Sequence, residues 1–252
     1  CYVSPKISDI ILMGSERIHL FDTPLLVSRN MGLAVDQRVA KRIMDILISG
    51  IGIIITSPIM LIIALAVKAY DRGPVFYFQD RLTLGGKPFK ICKFRSMCVD
   101  SEKNGARLAS RHDSRITPVG HVLRNLHLDE LPQLFNVFKG DMSLVGPRPE
   151  RESIMLEYEK ELPEFYYRLK VKAGLTGYAQ VYGKYNTTPY DKLKLDLFYI
   201  ENYSFLLDIK LIFMTVKIFF QKEVSEGVDD RQVNALKDSG KNAGVSENKT
   251  EE

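Results

Sequence analysis

The chain has 252 residues, 45% hydrophobic and 26% charged, and a formal net charge of +4. This is ordinary for a globular protein of one full domain with appendages. Its three cysteines, Cys1, Cys92 and Cys98, are odd in number and fit neither a disulfide nor a metal framework, which points to a reducing, cytoplasmic setting. Residues 222–252 carry a net charge of −3, leaving +7 on the rest. A basic body suits an anionic membrane surface, a pyrophosphate or nucleic acid, and charge does not choose among them.

Residues 1–40 are mixed. Residues 10–13 and 25–28 read as short strands punctuated by Gly14 and Pro24. So few apolar runs cannot build a core alone, so the segment reads as the end of something longer or an arm packing elsewhere.

Residues 43–67, IMDILISGIGIIITSPIMLIIALAV, contain one charge, Asp45. As a helix the run reaches about 37 Å, enough to cross a hydrocarbon core of about 30 Å. Arg38, Lys41 and Arg42 precede it and Lys68 and Arg72 follow it, and such residues favour the cytoplasmic side. Ser57-Pro58 interrupts the run. Proline kinks or breaks a helix, and Ser57 is placed to bond a carbonyl freed by the break. The residues leave open a broken hairpin dipping into one leaflet and a kinked spanning helix.

Residues 74–95 read as short strands around a Gly85-Gly86 turn, and 102–115 as a polar loop. Thr117-Pro118 starts a helix over 118–127, and a second runs from about 129 to 139, closed by Gly140. Residues 153–170 form an amphipathic stretch divided by Pro163, with Ile154, Leu156, Tyr158, Leu162, Phe165 and Leu169 on its apolar side. Residues 193–203 and 206–220 are helical. The latter suits an interfacial helix with Lys210 and Lys217 snorkelling, or equally a core helix. Residues 223–252 are polar enough to be disordered.

The stretch RNLHLDELPQLFNVFKGDMSLVGPRPE concentrates the chemistry. Proline is tolerated only in the first turn of a helix, so Pro132 places Asp129 and Glu130 at a helix N-terminus. A carboxylate there stays ionised, and a phosphate is received nearby. Taken alone, Asp129 is a routine N-cap. Its company changes the weighing: Arg124 five residues earlier, and Arg148 held between Pro147 and Pro149 in a stiff loop suited to bidentate phosphate recognition. Lys93 and Arg95 add cations beside a strand.

Four blocks in one order, KRIMDILISGIGIIITSPIMLIIALAV, DRGPVFYFQDRLTLGGKPFKICKFRSM, ITPVGHVLRNLHLDELPQLFNVFKGDMSLVGPRPE and KAGLTGYAQVYGKYNTTPYDKLKLDLFYIENYSFLLDIK, resemble the bacterial sugar transferase family, the monotopic phosphoglycosyl transferases. The resemblance covers roughly residues 41–221. It implies a mixed α/β fold: a small irregular catalytic domain (69–221), a re-entrant broken membrane helix (41–68) with its break at Ser57-Pro58, and interfacial amphipathic helices. Residues 1–40 are then the remnant of an N-terminal region, and 222–252 a disordered tail.

The implied activity moves a sugar-1-phosphate from a nucleoside diphosphate sugar, UDP-linked, to polyprenyl phosphate in the bacterial inner membrane, with the catalytic domain facing the cytoplasm. By resemblance Asp129 is the nucleophile and Glu130 holds Mg²⁺. Arg124 and Arg148 bind phosphates, with Lys93 and Arg95 nearby, and Thr176, Gly177 and Gln180 belong to the nucleotide-sugar site. Tyr178 and Tyr182 bear on which sugar is accepted. The sugar, the glycan pathway and any homo-oligomer stay open.

Three rivals were weighed. A glycosyltransferase with an Asp-x-Asp pair or Rossmann loop lacks both motifs, since Gly50-Ile51-Gly52 has no third glycine. A nucleic-acid binder lacks any motif or basic helix. A non-catalytic membrane anchor remains as the alternative and makes Asp129 only a cap. His112-Asp113 reads as a surface accident, and the glycosylation triplets at Asn186, Asn202 and Asn248 as irrelevant in the cytoplasm.

Overall fold

A computed structural model describes residues 5–13, 15–20, 23–28, 33–99, 113–183 and 187–219. The expected disordered tail, most of the polar loop, His112, Asn186 and Asn248 lie outside these. The described residues are mixed and mostly helical, with three two-stranded sheets.

Helix α1 (Ile7–Met13) stands where a strand over 10–13 was expected. Ile7, Ile10 and Ile11 fall at helical spacing and pack into the main core, and the Asp9 carboxylate accepts from the Lys6 N–H at 2.8 Å. Strands β1 (Ser15–Leu20) and β2 (Thr23–Ser28) pair antiparallel, so Pro24 lies within a strand instead of ending one.

Helix α2 (Val35–Asp71) runs 37 residues, about 55 Å. Only 17% of its most apolar 18-residue stretch is buried against the described residues, unlike a core helix, and the helix is long and apolar enough to cross a membrane. Ile54, Ile55, Leu61, Ile62 and Leu65 face outward. Its residues keep helical conformation through Ser57-Pro58, so the pair does not divide two helices as expected. Pro58 has no N–H for the carbonyl of Ile54, four residues back. The Ser57 hydroxyl donates to that carbonyl at 2.8 Å and replaces the lost bond.

The buried residues of α2 make one stripe at helical spacing: Lys41, Met44, Asp45, Ser49, then Met60, Ile63 and Val67. Both halves therefore lean on the same body. Two basic residues read as membrane-side markers have structural roles instead. Lys41 is buried and pairs with Asp208 at 2.5 Å, and Tyr199 donates to the other oxygen of that carboxylate at 2.7 Å. Arg42 donates to the carbonyls of Val137 and Phe138, each at 2.8 Å.

Strands β3 (Phe76–Leu82) and β4 (Pro88–Phe94) form the expected hairpin, and its turn places Gly85 and Gly86 at positive φ. Thr117 caps α3 (Pro118–Asn125), accepting from the Gly120 N–H at 2.9 Å. A methyl group at Gly120 would lie 1.9 Å from the Ser96 carbonyl, so only glycine lets α3 sit against that segment. Helix α4 (Gln133–Lys139) ends at Gly140 in the left-handed region. The Asn136 carboxamide bonds the Cys92 N–H and the Lys90 carbonyl, occupying the outer edge of β4.

Strand β5 (Ser143–Val145) follows, then α5 (Glu152–Glu161), a 3₁₀ helix (Pro163–Lys170) and β6 (Gly174–Thr176), which pairs parallel with β5. Pro163 divides α5 from the 3₁₀ helix as expected. Leu156 is 52% exposed and leaves the apolar face assigned to it, because the break turns Phe165 inward while Met155 supplies the buried residue of α5. Helices α6 (Tyr178–Tyr182), α7 (Pro189–Glu201) and α8 (Phe205–Phe219) close the fold. Helix α8 buries Asp208 and Leu211 and turns Leu206, Phe213 and Val216 outward. The main core gathers Val137, Met142, Val145, Phe165, Leu193 and Leu197; a second, under α2, joins Met60, Ile63 and Val67 to Phe94 and Leu123.

Candidate active site

Helix α3 ends at Asn125, and His127 adopts φ 52, a left-handed conformation uncommon outside glycine and asparagine. This turns the chain into a 3₁₀ turn, Leu128–Glu130, so Asp129 and Glu130 precede α4 instead of forming its first turn. Pro132 is the residue before that helix begins.

Asp129 is 8% exposed, with Lys93, Arg124, His127 and Glu130 as its charged neighbours. Burial raises its pKa above the usual aspartate range. Lys93, Arg124 and His127 oppose the shift and Glu130 reinforces it. Desolvation outweighs the nearby cations, so burial works against the ionised form that position at a helix start favours.

Glu130 behaves oppositely. Lys93 Nζ and Arg148 Nη2 both donate to its Oε1, at 2.7 and 2.8 Å. Burial pushes this carboxyl up, but Arg148 and Lys93 together hold it well below the ordinary glutamate range. Adjacent carboxylates with opposed environments suit different roles.

Arg148 is held by its backbone. The carbonyls of residues 147–150 accept in turn from Gly174 N, Arg168 Nη2, Arg81 Nη1 and Leu82 N, at 2.9 to 3.0 Å. The Glu150 carboxylate gathers Lys192, Arg168 and Arg81. Burial raises its pKa, and those three cations outweigh burial and bring it to about 2. Arg168, 2% exposed, also pairs with Asp196 at 2.8 Å. A buried ionic bed thus fixes the backbone that presents one exposed guanidinium beside Glu130.

The remaining expected residues divide. Arg124 Nε donates to Ser96 Oγ at 2.9 Å and lies close enough to influence Asp129. Arg95 turns to Asp71 at the end of α2. Thr176 bonds Thr215, Gln180 bonds the Leu175 carbonyl, and Gly177 abuts the Gly146 carbonyl. These three back the Arg148 loop, and none of their hydrogen bonds reaches Asp129 or Glu130. Sequence reasoning missed Ser96, Arg81, Glu150, Arg168 and Lys192. Glu150 adjoins Pro149, but no local pattern signals its distant partners.

Among the described residues no group of three or more His, Cys, Asp or Glu side chains could hold a metal. The Asp129–Glu130 pair is compatible with Mg²⁺, which takes one or two carboxylates and completes its shell with water and substrate phosphate. Lys93 and Arg148 both donate to Oε1 of Glu130, so an ion would take the other oxygen or share the carboxylate with them.

Two adjacent carboxylates ringed by cations lie on a body that leans on a long, largely exposed apolar helix, an arrangement suited to an anionic substrate. The family model for bacterial sugar transferases matches residues 36–222, and the chain belongs to that family. It is 46% identical over 180 residues, 70% of its length, to a UDP-N-acetylgalactosamine-undecaprenyl-phosphate N-acetylgalactosaminephosphotransferase of Aeromonas hydrophila. It is 43% identical over 81% of its length to a UDP-glucose:undecaprenyl-phosphate glucose-1-phosphate transferase of Klebsiella pneumoniae. The chain spans 43% of each of these two relatives. A protein of the latter description from Caulobacter vibrioides is 37% identical, over 86% of this chain and 84% of its own.

Proposed function

We propose that the chain carries the catalytic part of an enzyme that transfers a sugar-1-phosphate from a UDP-sugar to undecaprenyl phosphate. The observation that supports this is the buried Asp129 carboxylate beside Glu130, which Lys93 and Arg148 hold ionised. The Asp129 oxygen attacks the sugar-bearing phosphorus. The bridging phosphoanhydride bond breaks, UMP leaves, and an acyl phosphosugar forms on Asp129. An oxygen of undecaprenyl phosphate then attacks the same phosphorus, the bond to Asp129 breaks and the carboxylate is restored. Splitting one displacement into two is the benefit of covalent catalysis.

Lys93, Arg124 and Arg148 neutralise the phosphates of the donor, and the ionic bed under residues 147–150 keeps Arg148 in register. Glu130, with the donor phosphates, would hold Mg²⁺, which would supply further charge neutralisation to the departing UMP. The anchor reading makes Asp129 a cap. Against it stands the capping position itself: His127 precedes the 3₁₀ turn and Pro132 precedes α4, so Asp129 holds neither N-cap position.

The burial of α2 supports the membrane geometry proposed with this activity. Lys41 and Val67 lie about 39 Å apart along a straight helix, more than the hydrocarbon core of about 30 Å, yet both are buried against one body. A straight crossing would put the second contact beyond the far surface. A bend at Ser57-Pro58 lets α2 enter and leave by one face, with the site on the cytoplasmic side of the inner membrane, where a soluble donor and a lipid acceptor meet.

The test is UMP release from a panel of UDP-sugars by protein in nanodiscs with undecaprenyl phosphate and Mg²⁺. Release that depends on one sugar and is lost in a folded Asp129→Asn variant supports the reading. Near-full activity in that variant refutes the covalent step.

A further inference from the structure

The β3–β4 hairpin has two unlike faces. Cross-strand partners share a face, so Tyr77 lies with Lys93 on the side of Glu130, while Phe76, Phe78 and Asp80 lie with Phe94, Cys92 and Lys90 on the other. On that reverse side an open groove of about 1120 Å³ runs between the hairpin and α4. Asn136 fixes its width through its two bonds to β4.

Each wall of the groove passes from phenylalanine to lysine. Along the hairpin the order is Phe76 and Phe78, then Lys90 and Lys87; along α4, Phe135 stands one turn before Lys139. The three phenylalanines are 41%, 57% and 46% exposed. Lys172 completes the basic end and donates to the Gly140 carbonyl. Asp80 and Asp141 are the acidic residues in the lining, and Asp141 is shared with Lys139 at 3.7 Å. Four lysines against two aspartates leave the groove net positive.

The groove also lies beside the apolar helix. A methyl group on Gly52 would come within 3.3 Å of Leu134, and one on Gly50 within 3.5 Å of Phe138, so α4 rests on the bare middle of α2. Aromatic side chains next to a lipid-facing helix, followed at once by lysines, match the order of acyl chain and phosphate in a lipid layer.

We propose that this groove binds an anionic glycerophospholipid, its phosphodiester among Lys87, Lys90 and Lys139 and its acyl chain over Phe76, Phe78 and Phe135. The acceptor lipid is not the occupant, because Lys93, which donates to Glu130 beside Asp129, lies on the opposite face of the hairpin from Lys90. The bound lipid seats the hairpin at the membrane surface and so sets the depth of the catalytic body.

The test is native mass spectrometry of the full chain released from nanodiscs of mixed phosphatidylethanolamine and phosphatidylglycerol. The expected result is preferential retention of one phosphatidylglycerol. Lys87→Glu/Lys90→Glu lowers that retention at least about tenfold. The charge-matched control Lys6→Glu/Lys160→Glu, at exposed positions elsewhere, leaves it unchanged. Phe78→Ser weakens retention of both lipids. Equal retention of the two lipids, equal loss in the control, or displacement of phosphatidylglycerol by a short polyprenyl phosphate overturns the assignment. Turnover is not read, so the outcome is independent of the role given to Asp129.

Discussion

Arg168→Lys tests whether the buried ionic bed acts on chemistry through Arg148. Lysine keeps the positive charge, so Asp196 and Glu150 retain a cation. It loses the planar fork that reaches the Arg148 carbonyl at 3.0 Å while pairing with Asp196. A lost hydrogen bond from a charged donor costs about 1.5–3 kcal/mol. Part of this appears as lower thermal stability. The remainder, about 1–2 kcal/mol, frees the 147–150 backbone and moves the Arg148 guanidinium off the donor phosphate, lowering kcat/KM for UMP release by roughly fivefold to thirtyfold. The assay is a double-mutant cycle of Arg168→Lys and Arg148→Ala, read as kcat/KM for the donor alongside thermal midpoints. If Arg168 works through Arg148, its substitution costs little once Arg148 is alanine, giving a coupling of about 1–2 kcal/mol. Equal fold losses in both backgrounds would refute the argument and leave Arg168 as a purely stabilising residue.

Because burial raises the pKa of Asp129, the acid limb of kcat/KM lies above the ordinary aspartate value of about 3.9: protonation disables the nucleophile as pH falls through the raised pKa, while Glu130 stays ionised. The same shift means that ionised Asp129 costs stability, so Asp129→Asn abolishes UMP release without lowering the thermal midpoint. Breaking the buried Lys41–Asp208 pair with Asp208→Asn costs about 3–5 kcal/mol, and Lys41→Met/Asp208→Leu recovers most of the loss in thermal unfolding. Gly120→Ala pushes α3 off Ser96, which loosens Arg124; it lowers the thermal midpoint by the equivalent of about 1–3 kcal/mol and raises KM for the donor.

Local signals were legible in the chain wherever a side chain acts on its own neighbourhood. The apolar run over 43–67, the Thr117-Pro118 start, the Gly85-Gly86 turn and the break at Pro163 depend on contacts a few residues away, and they appear where expected. The grouping of Asp129, Glu130, Arg124 and Arg148 was also readable, since all four fall within 25 residues. Local rules misled where packing overruled them. Residues 10–13 look like a strand but join a helix because Ile7 and Ile10 find the core, and the membrane-side reading of Lys41 missed its distant partner Asp208.

The sequence alone determines the long apolar run over 43–67 and the grouping of two carboxylates and two arginines within 124–148, because periodicity, proline and charge are local properties. Tertiary structure decides which carboxylate is buried and which is ion-paired, that four carbonyls lock the Arg148 loop, and that both halves of α2 rest on one body. Burial and electrostatic pairing depend on groups brought together across the fold. Lys93 meets Glu130 across 37 positions and Asp45 meets Leu144 across 99, separations that no local pattern encodes.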